Sequence, residues 1–182
     1  VRPALNFVSL CLIALFTFCR RKPEIDFCKE NIIIEIENDH AKVTGNYYFE
    51  NTTSIRKQVK FYYPFPVDSN HSYPDIILID YPFEKDSSGI YFTMSIDKYK
   101  TDSFKIIYDQ RLKKNRFCYI TTTTRRWKRP IKEANFVIIM PDSLVIKTNY
   151  KMTDKKKMGN KYRYYIKRRI FYPKNDLIVE WR

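Results

Sequence analysis

Few residues in this chain are of types that do covalent or acid–base chemistry, and their spacing is poor for it. The two histidines, His40 and His71, lie more than five residues from any cysteine and far from each other, so local zinc-ligand spacing is absent. His40 follows Asn38 and Asp39 and reads as a solvated turn residue. The three glycines, Gly45, Gly89 and Gly159, stand apart. Phosphate loops, dinucleotide fingerprints and nucleophile elbows all need clustered glycines for close backbone approach, so enzymes built on them are excluded. The carboxylates Asp75, Asp80, Glu84 and Asp86 surround Pro82 and could supply oxygens to calcium. All four sit near expected turns, where acidic residues are simply soluble, and no general acid or base can be assigned among them. No cofactor is expected, and a non-enzymatic role is.

The four cysteines divide by context. Cys11 falls inside the uncharged run Leu5 to Phe18 and Cys19 follows it directly, which leaves Cys28 and Cys118 in the remainder of the chain. The apolar run has the length of a signal-peptide core and is short for a membrane span of roughly 20 residues. Cys19 directly after it is a candidate lipidation site of the bacterial lipoprotein type, although Phe18 occupies the position where a small residue is usual. The three basic residues Arg20 to Lys22 that follow would hold an uncleaved anchor's carboxyl side in the cytoplasm. In an oxidising compartment Cys28 and Cys118 become a candidate disulfide, with two buried thiols as the alternative. The expected organisation is a signal or anchor over residues 1–19, a tether over 20–27 and one domain over 28–182, tethered to a membrane in the cell envelope.

The elements that must position these residues are strands. Ile, Tyr and Phe dominate the apolar set and apolar residues alternate with polar ones in short runs, the pattern of strands buried on one face. Ile32 to Glu37 and Ala41 to Glu50 form an expected hairpin, with Ala41, Val43, Tyr47 and Phe49 on one face. Val59, Phe61, Tyr63 and Phe65 alternate until Pro64 and Pro66 remove backbone donors. Further runs to Leu177–Trp181 include Phe117 to Thr124 as a strand and Asp154 to Asn160 as an exposed loop. The expected fold is all-β, an antiparallel β-sandwich, immunoglobulin-like or related, of about 9–11 strands behind an apolar N-terminal helix, since nothing supplies crossover helices.

Three ordered stretches carry a resemblance: Ala41-Lys-Val-Thr-Gly-Asn-Tyr-Tyr-Phe-Glu-Asn51, Phe61-Tyr-Tyr-Pro-Phe-Pro66, and Tyr119-Ile-Thr-Thr-Thr-Thr-Arg-Arg-Trp-Lys-Arg-Pro-Ile131. Together they resemble an uncharacterised group of exported bacterial proteins with a β-rich domain of unknown function, which shares a V-x-G-x-Y-x-F-x-N strand, an F-P-F-P segment and a Thr-rich strand leading into W-x-x-P-I. Thr124 or Arg125 stands where that group often has glycine. The resemblance implies export and fold, and no activity. Read from the residues themselves, Gly45 marks a bulge or close backbone approach, and Trp127 either plugs one end of the sandwich or binds a ligand.

Charge is unevenly placed. Residues 1–110 carry a net charge of −2 and residues 111–182 a net charge of +16. The concentrated groups are Arg125, Arg126, Lys128 and Arg129 around Trp127, then Lys155, Lys156 and Lys157, then Arg163, Lys167, Arg168 and Arg169 interleaved with tyrosines. Solvated strand faces account for them most simply. An anionic envelope surface, lipid or polysaccharide, is the next reading, and an envelope protein the third. Nucleic acid ranks last, because export removes it as a partner.

Overall fold

The computed structural model describes residues 23–182; Cys19 and the uncharged run Leu5 to Phe18, with the signal or anchor helix expected there, lie outside them. Thirteen strands are present among the described residues: β1 (Ile25–Glu37), β2 (His40–Asn51), β3 (Lys57–Pro64), β4 (Ile76–Ile79), β5 (Phe83–Lys85), β6 (Gly89–Ile96), β7 (Thr101–Arg111), β8 (Arg116–Tyr119), β9 (Ile131–Pro141), β10 (Ile146–Thr148), β11 (Asp154–Met158), β12 (Lys161–Phe171) and β13 (Leu177–Trp181). A single 3-10 helix, η1 (Thr122–Trp127), joins β8 to β9.

Seven strands make one wide sheet in the order β11-β12-β9-β1-β2-β7-β4. Two three-stranded sheets, β3-β6-β5 and β10-β13-β8, cover its inner face. The first packs over β7, where Phe104 meets Phe61 at 5.5 Å and Phe92 at 4.8 Å between ring centroids. The second packs over β9, with Tyr119 6.0 Å from Phe136. Period-two burial sets the inner face: Ile32, Ile34 and Ile36 of β1, with Ala41, Val43, Tyr47 and Phe49 of β2, are all buried.

The all-β expectation and the face shared by Ala41, Val43, Tyr47 and Phe49 agree with this structure; the purely antiparallel pairing expected does not hold. β1 pairs β9 in parallel, from Lys29 opposite Glu133 to Glu35 opposite Ile139. No crossover helix is required, because 93 residues of other strands separate Glu37 from Ile131. β1 begins at Ile25, inside the expected tether, and its amino end is fastened where Thr52 N–H donates to Glu24 O at 3.0 Å and Lys57 pairs with Glu24 at 2.8 Å.

Two local expectations are also corrected. The Thr-rich stretch is a strand only to Tyr119. Asp176 Oδ1 accepts from the N–H groups of Thr121 (3.0 Å) and Thr122 (2.9 Å) and from the Thr122 hydroxyl (2.8 Å), which satisfies donors at the helical turn and bends the chain into η1. Residues 154–158, expected as a loop, pair with β12 from Asp154 opposite Tyr165 to Met158 opposite Lys161, and Gly159 takes the turn at φ +61°.

Candidate functional site

The two small sheets do not hydrogen-bond to each other. Their facing edges are β3 and β8, and they meet over β2 through a chain of three tyrosines. Tyr47 Oη lies 2.7 Å from Tyr63 Oη on β3 and 2.5 Å from Tyr119 Oη on β8, and all three rings are buried. Gly45 permits this: a Cβ there would collide with the Tyr47 ring and hydroxyl. The sequence expectation of close approach at Gly45 is thereby met by a side chain; the bulge lies elsewhere, between Phe27 and Lys29 of β1.

That bulge decides where Glu30 points. With Cys28 as the extra residue, Phe27 and Glu30 both face inward, in phase with Ile32, Ile34 and Ile36. Glu30 is 2% exposed, stands opposite Tyr47 on β2 and Ala134 on β9, and its Oε1 has no hydrogen-bond partner. Burial pushes its carboxyl up from 4.5 to about 8, since the charged form loses its hydration with no cation to compensate. The hydroxyls of Tyr47, Tyr63 and Tyr119 are pushed well above their ordinary value, chiefly by the same burial.

Between the β3 edge and η1 the seam opens into a cavity of about 250 Å³. Its walls are Phe27, Phe49, Phe61, Phe104 and Trp127, with Glu30 and the three tyrosines among its lining. Thr124 contributes a second buried oxygen, Oγ1, without a partner. Four side chains among the described residues have such an orphaned buried atom, and two of the four line this one cavity. Buried polar groups are nearly always paired, so two unpaired atoms in one wall are significant.

The ends of the seam are closed. Trp127 packs 5.2 Å from Phe49 and 6.0 Å from Phe61, and Arg125 Nε donates to Pro173 O at 2.7 Å, holding η1 over one end. At the other end His71, fully buried, accepts the Cys118 N–H at Nε2 (3.0 Å) and donates from Nδ1 to Asp68 Oδ1 (2.8 Å). Asn70 Nδ2 donates to Arg116 O at 2.6 Å. The β3–β4 loop therefore stands in for a strand along part of β8, and both ring nitrogens of His71 are occupied by that role. His40 opens β2 and pairs with Asp109 at 2.7 Å.

The residues singled out by sequence are dispersed. Trp127 and Arg126 line the cavity, Trp127 as one of its aromatic walls. Arg125 is tied to backbone carbonyls, Lys128 takes the left-handed conformation at φ 57° that ends η1, and Arg129 follows it. Lys155, Lys156 and Lys157 lie on the edge strand β11: Lys155 Nζ sits 3.7 Å over the Tyr162 ring, Lys156 is 4.0 Å from Asp154, and Lys157 pairs with Asp142 at 2.8 Å. Arg168 donates to Lys151 O and Lys167 O, while Lys167 and Arg169 are exposed and Arg163 is half-buried. The eleven cations thus occupy η1 and the β11–β12 edge, and several are turned onto the protein itself.

Cys28 and Cys118 are free thiols and are not brought together. Cys28 donates to Tyr48 O (3.2 Å) at the β1 bulge, beside Asp26, Glu50 and Lys132; Cys118 lies on β8, in a different sheet, near Asp68 and Asp176. Burial pushes both thiols up, Cys118 to about 11, so neither is poised as a nucleophile. Among the described residues no group of three His, Cys, Asp or Glu could hold a metal ion, and Asp75, Asp80, Glu84 and Asp86 form no such group. No helix among them is long and apolar enough to cross a membrane.

Glu30 went unnoticed in the sequence because the expected strand began at Ile32. Carrying its alternation one step back puts Glu30 on the buried face, which was the available signal.

No family model matches this sequence, and no curated protein does. Solved structures resemble the fold. A Legionella pneumophila protein named a "putative nutrient binding protein" aligns with a TM-score of 0.65 at 12% identity, over 87% of this chain and 67% of its own. A variant of a two-domain M1 zinc metallopeptidase bound to L-tryptophan aligns with a TM-score of 0.57 at 10% identity, over 87% of this chain and 43% of its own. The Deinococcus radiodurans M1 zinc metallopeptidase, as a variant bound to a Tyr-Ser-Ala substrate, aligns at 0.56 and 10%, over 86% and 42%. This chain spans less than half the length of those peptidases, and at such identities the likeness is one of fold.

Proposed function

We propose that this domain is a binding module whose seam cavity takes a small ligand with an apolar body and a polar end. The observation that carries the reading is the pair of orphaned oxygens, Glu30 Oε1 and Thr124 Oγ1, in the wall of one aromatic cavity. Leaving such atoms unmade costs about 1–3 kcal/mol each, an expense that a ligand supplying the missing partners would remove. Apolar walls with a few converging polar groups are the usual composition of small-molecule sites. A volume near 150 Å³ holds benzene, so about 250 Å³ admits one ring with a short substituent. The fold likeness to a protein named for nutrient binding supports a reading of this kind. The occupied nitrogens of His71 and the raised thiols of Cys28 and Cys118 support binding without turnover.

The leader sequence supports placement of this module in the cell envelope, exported and tethered at its amino end. Exposed Lys167 and Arg169 on β12 support a contact with an anionic surface there; co-sedimentation with anionic vesicles that is absent, or unchanged by salt, would remove that contact.

Ligand-observed fluorine NMR with single-ring fluorinated compounds tests the cavity. Binding to the wild type is expected to disappear in Thr123→Trp, which fills the cavity from η1. A retained signal in that variant, or none in the folded wild type, refutes the assignment.

A further inference from the structure

We infer that the ligand is a small organic ammonium, a primary amine carried on one apolar ring, with its nitrogen at Glu30 Oε1 and its ring among the aromatic walls. This rests on the reading that the seam cavity binds a ligand.

The inference comes from what the cavity lacks. Its interior offers a carboxyl oxygen, a threonine oxygen and tyrosine oxygens, all able to accept, whereas among the described residues no lysine or arginine compensates a charge on Glu30. Once Glu30 is ionised, above about pH 8, a carboxylate ligand meets it as a like charge and a neutral ligand leaves it without a counter-ion. An ammonium supplies the missing positive charge and up to three N–H donors. The faces of Phe27, Phe49, Phe61, Phe104 and Trp127 carry negative potential, which favours a desolvated cation beside them.

The two cationic residues of the lining do not compensate Glu30: Lys60 Nζ lies 5.2 Å from the Tyr91 ring centroid, the Arg126 charge reaches the Tyr91 hydroxyl, and neither lowers the Glu30 carboxyl, which burial alone shifts.

Binding is coupled to a proton. The titratable groups facing Glu30 are Tyr47 from β2, Tyr63 from β3, Tyr119 from β8 and Tyr150 from the segment after β10. All four hydroxyls are raised and stay neutral between pH 6 and 9. Glu30 alone changes state in that range, so an incoming ammonium displaces its proton, and affinity rises about tenfold per pH unit up to about pH 8.

Calorimetry of the full chain with 2-phenylethylammonium, 2-phenylethanol and phenylacetate decides between charges on one ring. At pH 8.5 the ammonium is expected to bind at least about tenfold more tightly than the alcohol, the ratio one charge-assisted hydrogen bond supplies, with phenylacetate weakest. Glu30→Gln should bring ammonium and alcohol to similar affinity. A measurement independent of that variant is proton release by the wild type: about 0.9 proton per ammonium bound at pH 7, read from the dependence of enthalpy on buffer ionisation. Alcohol binding as tight as ammonium binding overturns the ammonium while leaving the cavity reading in place. If none of the three probes binds the folded wild type, both fall.

Discussion

Replacing Glu30 by glutamine should make the empty protein more stable at neutral pH, and by an amount that grows with pH. The carboxyl is 2% exposed and titrates at about 8 in the folded chain against 4.5 ordinarily. The native state therefore holds a proton that the unfolded state has released, and stability must fall as pH rises through this interval. Below about pH 3.5 the folded and unfolded carboxyls are both largely protonated and the effect vanishes. At pH 7 the 2.5-unit gap amounts to about 3 kcal/mol, and above pH 8 the loss levels off at about 5 kcal/mol. Glutamine keeps the shape and removes the titration, so the difference between the two proteins isolates this group from every other ionisation. Urea unfolding followed by tryptophan fluorescence at pH 5, 6, 7 and 8 measures it. A difference constant to within about 0.5 kcal/mol across that range would refute the claim that Glu30 is buried without a partner.

Tyr47→Phe removes the hydroxyl that bonds both Tyr63 and Tyr119, so it is expected to cost about 1–3 kcal/mol in the same assay. Gly45→Ala should destabilise by about 1–3 kcal/mol by displacing the Tyr47 ring, visible as a lowered Tm by calorimetry. His71→Ala leaves the half-buried Cys118 N–H without its acceptor and opens a cavity at the β8 edge; a loss of about 2–4 kcal/mol is expected, and a change under about 0.5 kcal/mol would contradict the bridging role. Mass mapping after alkylation in denaturant without reductant should find both Cys28 and Cys118 modified, whereas Cys118 in the native protein should react slowly because its thiol is raised to about 11.

The strands were legible because inward positions recur every second residue: Tyr47 and Phe49 could be placed on the buried face from spacing alone. Partner choice was not. Nothing in the composition of β1 or β9 distinguishes parallel from antiparallel pairing, and Ile131–Pro141 became the neighbour of Ile25–Glu37 only through tertiary packing. The four threonines favour extended backbone, yet Asp176, more than fifty residues later, captures the N–H groups of Thr121 and Thr122 and turns the segment. The lysines of β11 suggested a loop because every residue of the strand is exposed, so no alternation of burial existed to be read. The site was hidden for a related reason. Glu30 looks like any solvent-facing acid until the bulge at Cys28 fixes its parity, and the cavity is a property of two separated strand edges that no local window contains.

The position of β1 in the middle of the wide sheet bears on how the molecule is made. Its second edge stays naked until Ile131–Pro141 has left the ribosome, so about a hundred residues are synthesised while the central strand offers unmet backbone groups to any passing chain. Interrupted or truncated synthesis should accordingly yield sticky fragments rather than a smaller stable fold, and the cell must shield the growing polypeptide until its last third arrives.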